Sequence, residues 1–451
     1  MNAPLQQIEK ALRKGKLIIG IFGLGWMGLP TACLFVEEGA RVIGVDIDPG
    51  VVERINAGKS HISEAEIQPI LSKHLGENLS VTTDVRKAAA QSDIIMIIVP
   101  TSIDDGKKPD YSNIRKVCKD VGVVINKGCI VIIESTVGPG ITETVAGKII
   151  ETNSGLKAGT EFGLAYSPIR AMAGRVMKDV PKYPRIVGGI DQRSLNVASL
   201  VLRTITKAEV IKVRNLKTAE TVKLFENIYR DVNIALATEL ALFCEKNELD
   251  FMEVRKAAIT QPYCHLHIAR VGVGGHCIPD NPYFIISEAD SLCLNLRLLK
   301  YARKVNDKMP SHIVNLVVKG IKKCNKKLKK AKIAVLGITY RSDVKEVANS
   351  PPREIVNTLM SKGATVKVYD PFYSVTEMVE MGFNGAESIK GAVIDADCIL
   401  VTAGHKQFKK MNIGNIARLV KKPACIVDGW RVFDEEEVIA NDLTYYSVGL
   451  G

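Results

Sequence analysis

No stretch of the 451-residue chain approaches the roughly 20 consecutive apolar residues that a helix needs to cross a bilayer, so no membrane span is read. The first sixteen residues mix acids, bases and glutamines without an apolar core, and no export signal is read there. The ten cysteines form no Cys-x-x-Cys pair and no repeated spacing, which argues against a zinc site, any other metal site and a disulfide framework. Reduced thiols in a cytoplasmic protein are the expectation. Aromatic residues make up only 6% of the chain, and none form a stacking platform beside the positive charge, although that charge sums to +12. Much of the excess lies in one run from Lys322 to Lys332, which reads as a solvated helix end and linker rather than a nucleic-acid surface. The remaining positive charge suits a phosphorylated substrate.

What is present is the composition of an ordinary globular protein, with 46% hydrophobic and 24% charged residues, long enough for two or three domains. Leu17 to Phe22 is a buried strand, and Gly23, Gly25 and Gly28 after it fill the pattern G-x-G-x-x-G. Gly23 allows the sharp turn, Gly25 admits a pyrophosphate to the backbone, and Gly28 brings the next helix against the sheet. A second strand, Arg41 to Val45, leads into Asp46, 18 residues after Gly28, placed to accept the ribose hydroxyls. Such an acid repels the extra phosphate of NADP, so NAD is the expected cofactor.

Further apolar runs at Ser92–Pro100 and Gly128–Ser135 extend the parallel sheet, and each ends in hydroxyl residues: Thr101 and Ser102, then Ser135 and Thr136. Those hydroxyls either bind a ligand at the carboxyl edge of the sheet or form turns and caps. Residues from about 216 to 247 predict a long helix with Leu224, Ile228, Leu236, Leu240 and Phe243 on an apolar face. Lys223 and Asn227, four apart, share one side of it, as ligand-binding groups or as surface residues. Gly272-Val-Gly-Gly-His-Cys277 presents a thiol on a glycine-rich loop that predicts close approach to a ligand. From Lys332 a second α/β unit begins, with strands near 332–337, 364–370, 396–402 and 424–428. The fold class is therefore α/β, two doubly wound Rossmann-like domains joined by a helical central domain: residues 1–210, 211–328 and 329–451.

These motifs together resemble the UDP-sugar 6-dehydrogenases. The resemblance rests on Gly23-Leu-Gly-Trp-Met-Gly28 with Asp46, Val99-Pro-Thr101, Glu134-Ser-Thr136, Ala219 to Asn227, Gly272 to Pro279, and Lys367 to Pro371. It implies NAD held by Gly23, Leu24, Gly25, Trp26, Met27, Gly28, Asp46, Pro100, Thr101, Ser135, Thr136 and Arg341. It implies a UDP-sugar held by Arg170, Lys223, Asn227, Gly272, Gly274, Tyr340 and Arg431. Cys277 is the implied nucleophile, Lys223 and Asn227 the donors to the oxyanion at C6, and Thr136 the holder of a water or of the C6 oxygen. His276 before the thiol is similar to the branch acting on UDP-N-acetylhexosamines such as UDP-N-acetylmannosamine. The resemblance and the long helix imply a homodimer or a higher homo-oligomer.

The chain departs from the family at several of these places. The family's carboxylate after Ser167-Pro168 is Ile169, followed by Arg170. The aspartate four residues past the cysteine is Asn281, with Asp280 one position early. An arginine donated to the substrate across subunits is replaced by Tyr263, and Arg-Glu-Ser-Pro becomes Ala348-Asn349-Ser350-Pro351. Asp-Gly-Arg becomes Asp428-Gly429-Trp430, followed by Arg431. Arg170, Arg270, Arg341 and Arg431 are available to restore the lost charge. A dehydrogenase of another substrate, one that stops after two electrons, and a non-catalytic nucleotide-binding paralogue stay open on these residues.

Overall fold

The computed structural model describes residues 3–62 and 64–451. They form two compact units, one running to Glu226 and including Tyr283–Leu294, the other comprising Asn227–Pro282 and Asn295–Gly451.

The first unit is built on eight strands: β1 (Ile18–Phe22), β2 (Arg41–Val45), β3 (Leu79–Thr82), β4 (Ile94–Ile97), β7 (Ile130–Ile133), β8 (Gly163–Tyr166), β9 (Arg185–Gly189) and β10 (Val210–Lys212). A two-residue hairpin, β5 (Ser102–Ile103) with β6 (Pro109–Asp110), stands apart from them. The sheet order is β10-β9-β8-β7-β4-β1-β2-β3, parallel throughout except for the β8–β9 pair. Its strands read as unbroken apolar runs because both faces are covered. Ile19, Ile21, Ile94 and Met96 face one core, while Phe22, Ile95, Ile97 and Val131 face the other. The chain reverses its direction of travel across the sheet between β1 and β4, the crevice where open α/β sheets bind ligands.

The second unit carries a five-stranded parallel sheet: β11 (Lys332–Leu336), β12 (Thr365–Tyr369), β13 (Cys398–Val401), β14 (Ala424–Asp428) and β15 (Leu443–Ser447), ordered β12-β11-β13-β14-β15. The helix Met309–Lys323 buries Ile313 and Val317 against one face of it, beside Val335, Leu400 and Val427. The lysine run begins in the last turn of that helix and ends at β11. Its side chains are mainly exposed, and Lys326 pairs with Asp397 at 2.6 Å. Here the switch point falls between β11 and β13.

One helix, Leu216–Lys246, runs for 31 residues, about 46 Å. Its apolar residues do not share one buried face, contrary to the sequence reading. Leu224 and Ile228 are buried, whereas Leu236, Leu240 and Phe243 are exposed and align instead with exposed Tyr229. At 100° per residue the two sets lie on different sides of the helix.

Candidate active site

In the first unit, each fingerprint glycine has a separate physical reason. Gly23 has φ +99°, and a Cβ there would lie 2.4 Å from the Ile98 carbonyl oxygen. A Cβ on Gly28 would fall 1.8 Å from the Gly23 oxygen, so the helix Gly28–Glu37 can start this close to β1 only without a side chain. Gly25 is exposed and its Cβ would meet nothing within 4 Å. The open space beside its backbone is what a pyrophosphate requires. The Asp46 carboxylate accepts from the Leu24 amide at 2.8 Å and the Asp48 amide at 3.0 Å. Two backbone bonds orient the carboxylate, and Asp46 is only half-buried. Leu24 is buried, while Trp26 and Met27 are half-buried beside the turn. These residues fit a bound dinucleotide.

The hydroxyls at the sheet edge divide by role. Ser135 Oγ donates to the Val99 carbonyl at 2.7 Å, and Thr101 Oγ1 donates to the Thr136 carbonyl at 2.7 Å. Both therefore tie the loop after β4, which includes Pro100, to the loop after β7. Glu220, buried in the long helix, accepts from the amides of Gly140 and Thr142 (2.7 Å for the latter) and so clamps the segment that follows Thr136. Burial pushes its carboxyl up, and the Thr142 and Gly140 bonds pull against that shift. Sequence reading missed this clamp, although an acid three residues before Lys223 was its visible trace. Also missed was the fully buried pair of Arg185 and Glu134, which bridges β9 to the end of β7 and includes Ser167 Oγ at 3.1 Å. Lys223 Nζ donates to the Ile169 carbonyl at 2.9 Å. Ile169 thus engages the lysine through its backbone. Arg170 bonds Glu226 at 2.8 Å and the Pro184 carbonyl at 2.9 Å.

In the second unit, Cys277 is the first residue of a helix, Cys277–Ser291, and is exposed. Sequence reading placed the thiol on a loop. Pro279 and Asp280 immediately after it are the first-turn residues that mark a helix start. The N-terminus of a helix favours an anionic sulfur. The glycines before it lie close to protein. A Cβ on Gly274 would lie 2.5 Å from the Tyr340 Cβ, one on Gly275 2.8 Å from the Tyr340 ring, and one on Gly272 3.1 Å from Pro351. Close approach is therefore made to Tyr340 and Pro351. Tyr340 donates to Glu346 at 2.6 Å. Burial, then that bond, then charge at Glu346 and Cys277 push its phenol up, so it remains a neutral wedge under the loop.

Asn349 Nδ2 donates to the Gly275 carbonyl at 3.2 Å and approaches Asp280 Oδ1 at 3.4 Å. Asn281 is buried with an unpartnered Nδ2, and the Asn227 Nδ2 is likewise buried without a partner. An amide donor left in that state suits a ligand oxygen. Arg341 follows β11 in this unit. Arg431 is bound to Asp250 at 2.8 Å, so much of its charge is already matched. Tyr263 is 88% exposed.

A turn shaped for a pyrophosphate, an acid for a ribose, a second Rossmann-like sheet and an exposed thiol at a helix start define a dinucleotide-dependent oxidoreductase. Family models agree along the chain. The NAD-binding domain of the UDP-glucose/GDP-mannose dehydrogenase family matches residues 17–206, its central domain 217–308, and its UDP-binding domain 334–435. The chain belongs to that family, whose members are NAD-dependent nucleotide-sugar dehydrogenases. It is 35% identical over 420 residues to a UDP-N-acetyl-D-mannosamine dehydrogenase of Pyrococcus horikoshii, covering 93% of this chain and 97% of that one. A solved UDP-N-acetylmannosamine dehydrogenase from the same organism superposes with a TM-score of 0.90 at 34% identity, over 96% of this chain and all of the other. An NDP-N-acetyl-D-galactosaminuronic acid dehydrogenase from Methanosarcina mazei gives 0.83 at 29% identity, covering 100% and 98%.

Proposed function

We propose that the chain oxidises the C6 alcohol of a UDP-N-acetylhexosamine, UDP-N-acetylmannosamine first among them, to the uronic acid. The observation that carries this reading is the exposed Cys277 at the head of a 15-residue helix, in a chain whose family uses NAD. In the proposed division, residues 1–210 hold NAD, 211–328 carry Lys223, Asn227 and Cys277, and 329–451 hold the UDP moiety.

NAD, which Gly23, Gly25, Gly28 and Asp46 would hold, would supply the hydride acceptor for two successive oxidations at C6, the hydroxyl proton of the first leaving to solvent. The Cys277 thiolate adds to the aldehyde carbon produced by the first, forming a C–S bond and placing negative charge on the C6 oxygen. Lys223 and Asn227 donate to that oxygen, each contributing about 3 kcal/mol. The second oxidation leaves a thioester. Water held at Thr136 attacks its carbonyl carbon, the thiolate departs, and a carboxylate remains. With a panel of UDP-sugars and NAD, the expected result is two NADH per UDP-N-acetylmannosamine, and turnover lowered at least about 1000-fold in Cys277→Ala. No NADH from any UDP-sugar would refute the reading.

A second reading, oxidation that stops at two electrons, is favoured by Ile169. Its side chain is buried, only its carbonyl engages Lys223, and an isoleucine cannot relay a proton to the attacking water. One NADH per sugar with an accumulated aldehyde would decide for it. Tyr229, Leu236, Leu240 and Phe243 form an exposed apolar stripe on one helix, which supports a homodimer testable by light scattering. No helix among the described residues is long and apolar enough to cross a membrane. A cytoplasmic location is proposed with this activity, and no nucleic-acid partner is invoked.

A further inference from the structure

We propose that Arg270, laid on the face of Trp430, is the cation that binds the diphosphate of the nucleotide-sugar. The inference rests on the nucleotide-sugar reading above and names the residue that recognises that substrate's phosphates.

The Arg270 guanidinium lies 3.9 Å from the centre of the Trp430 ring. The indole beneath it is fixed from two directions. Its Nε1 donates to the Thr402 carbonyl at 2.7 Å, and a Cβ on Gly404 would lie 2.5 Å from its Cε3, so the ring rests against the chain just beyond β13. Trp430 itself follows β14. The plate therefore stands at the carboxyl edge of the five-stranded sheet, beside the switch point between β11 and β13, where such sheets take nucleotides. Val271 continues the same contact: a Cβ on Gly429 would fall 2.2 Å from its Cγ1.

A guanidinium stacked in this way keeps its N–H donors in the plane of the fork, directed past the edge of the ring, in the geometry that grips two phosphate oxygens. The donors are largely unspent. The one hydrogen bond of Arg270 is a long one, 3.5 Å, to the Trp430 carbonyl, and no carboxylate among the described residues is within ion-pair distance. Asp428 is the nearby acid, but its carboxylate already accepts from the amides of Trp430, Val432 and Phe433 (3.0, 2.7 and 3.0 Å) and from the Tyr445 hydroxyl at 3.2 Å. Arg431 is matched by Asp250. A partly buried cation without a counter-ion is costly unless a ligand supplies the negative charge.

The test is calorimetric titration of UDP and of uridine into the full chain, with NAD titrated separately. Arg270→Met is expected to weaken UDP about tenfold to hundredfold, the worth of one or two charged hydrogen bonds, and to leave uridine and NAD within about threefold. Arg270→Lys, which keeps the charge but loses the fork, is expected to fall between the wild type and Arg270→Met, and it serves if the methionine variant does not fold. UDP affinity unchanged in Arg270→Met, or UDP and uridine weakened equally, overturns the inference while the proposed activity stands. A wild-type chain that binds no UDP overturns both.

Discussion

The two Rossmann-like sheets repeat one turn almost bond for bond. After β1 the Gly23 amide donates to the Val45 carbonyl at 2.8 Å, and after β11 the Gly337 amide donates to the Tyr369 carbonyl at 2.8 Å. Both glycines have positive φ, +99° and +97°, and both face the chain just beyond the neighbouring strand, Ile98 after β4 in one sheet and Ala403 after β13 in the other. Asp46 and Asp370 each end the second strand and accept one amide from the turn, Leu24 or Ile338, both at 2.8 Å. Each also accepts the amide two residues on, at 3.0 and 2.9 Å. The difference lies in access. Asp46 is half-buried beside an open Gly25, whereas Asp370 is 1% exposed and covered by His405 Nε2 at 3.2 Å. That imidazole accepts from the Asp343 amide through Nδ1 at 2.9 Å, which leaves the proton on Nε2, facing Asp370. The same turn is left open in one sheet and is closed by an imidazole in the other.

Single methyl groups should separate these roles most sharply. In Gly337→Ala the new Cβ would sit 2.4 Å from the Ala403 Cβ at φ +97°, and a loss of about 3 kcal/mol of stability is expected. In Gly25→Ala the Cβ meets nothing within 4 Å, so thermal stability should hold within about 0.5 kcal/mol while NAD affinity falls tenfold or more by calorimetry. If Gly25→Ala melts as early as Gly337→Ala, the open cradle is not what distinguishes the two turns.

The acids give a smaller contrast. Asp370→Asn removes the charge that holds Ile338, Phe372 and His405, and about 2 kcal/mol of stability should be lost with NAD affinity unaltered. Asp46→Asn should weaken NAD by about tenfold and cost less stability, since its surroundings are wet. Equal effects on NAD from the two variants would remove the distinction.

Much of this was legible in the chain. The strand, three glycines and acid of the first turn follow a fixed spacing that can be read along the chain, and periodicity identified both sheets. The long helix was foreseen, but its apolar residues were assigned to one face although Leu224 and Leu236 point different ways; a 31-residue helix has room for more than one partner face. Ser135 and Thr101 proved to join two loops, a role that depends on which loops lie side by side. The departures from the family were each visible, yet their meeting was not. Asn349 reaches Asp280 from 69 residues away and Trp430 reaches Arg270 from 160. Such pairs form only when the fold brings distant segments together, and a single sequence has no local signal for them.

The segment after each acid carries the comparison one step further. The helix Pro49–Asn56 is capped by Asp48, which accepts from the Gly50 amide at 2.8 Å. The helix Val375–Glu380 is capped reciprocally: Ser374 accepts from the Glu377 amide at 3.2 Å, and the Glu377 carboxylate accepts from the Ser374 amide at 2.8 Å. Lys345 also pairs with Glu377, and this partner first, then the Ser374 bonds, hold its carboxyl at about 2, below an ordinary value of 4.5. For a depressed acid, the stabilisation is complete above the unfolded value and is lost as pH falls through the folded one. The stability difference between wild type and Glu377→Gln should therefore be full at pH 6, shrink below about 4.5 and vanish near 2. It should also be small, because the carboxylate is solvated and screened. A carbon-13 titration of Glu377 with a midpoint near 4.5 would show that the box and its lysine do not act together in solution, and the second sheet's cap would then rest on the Ser374 hydroxyl alone.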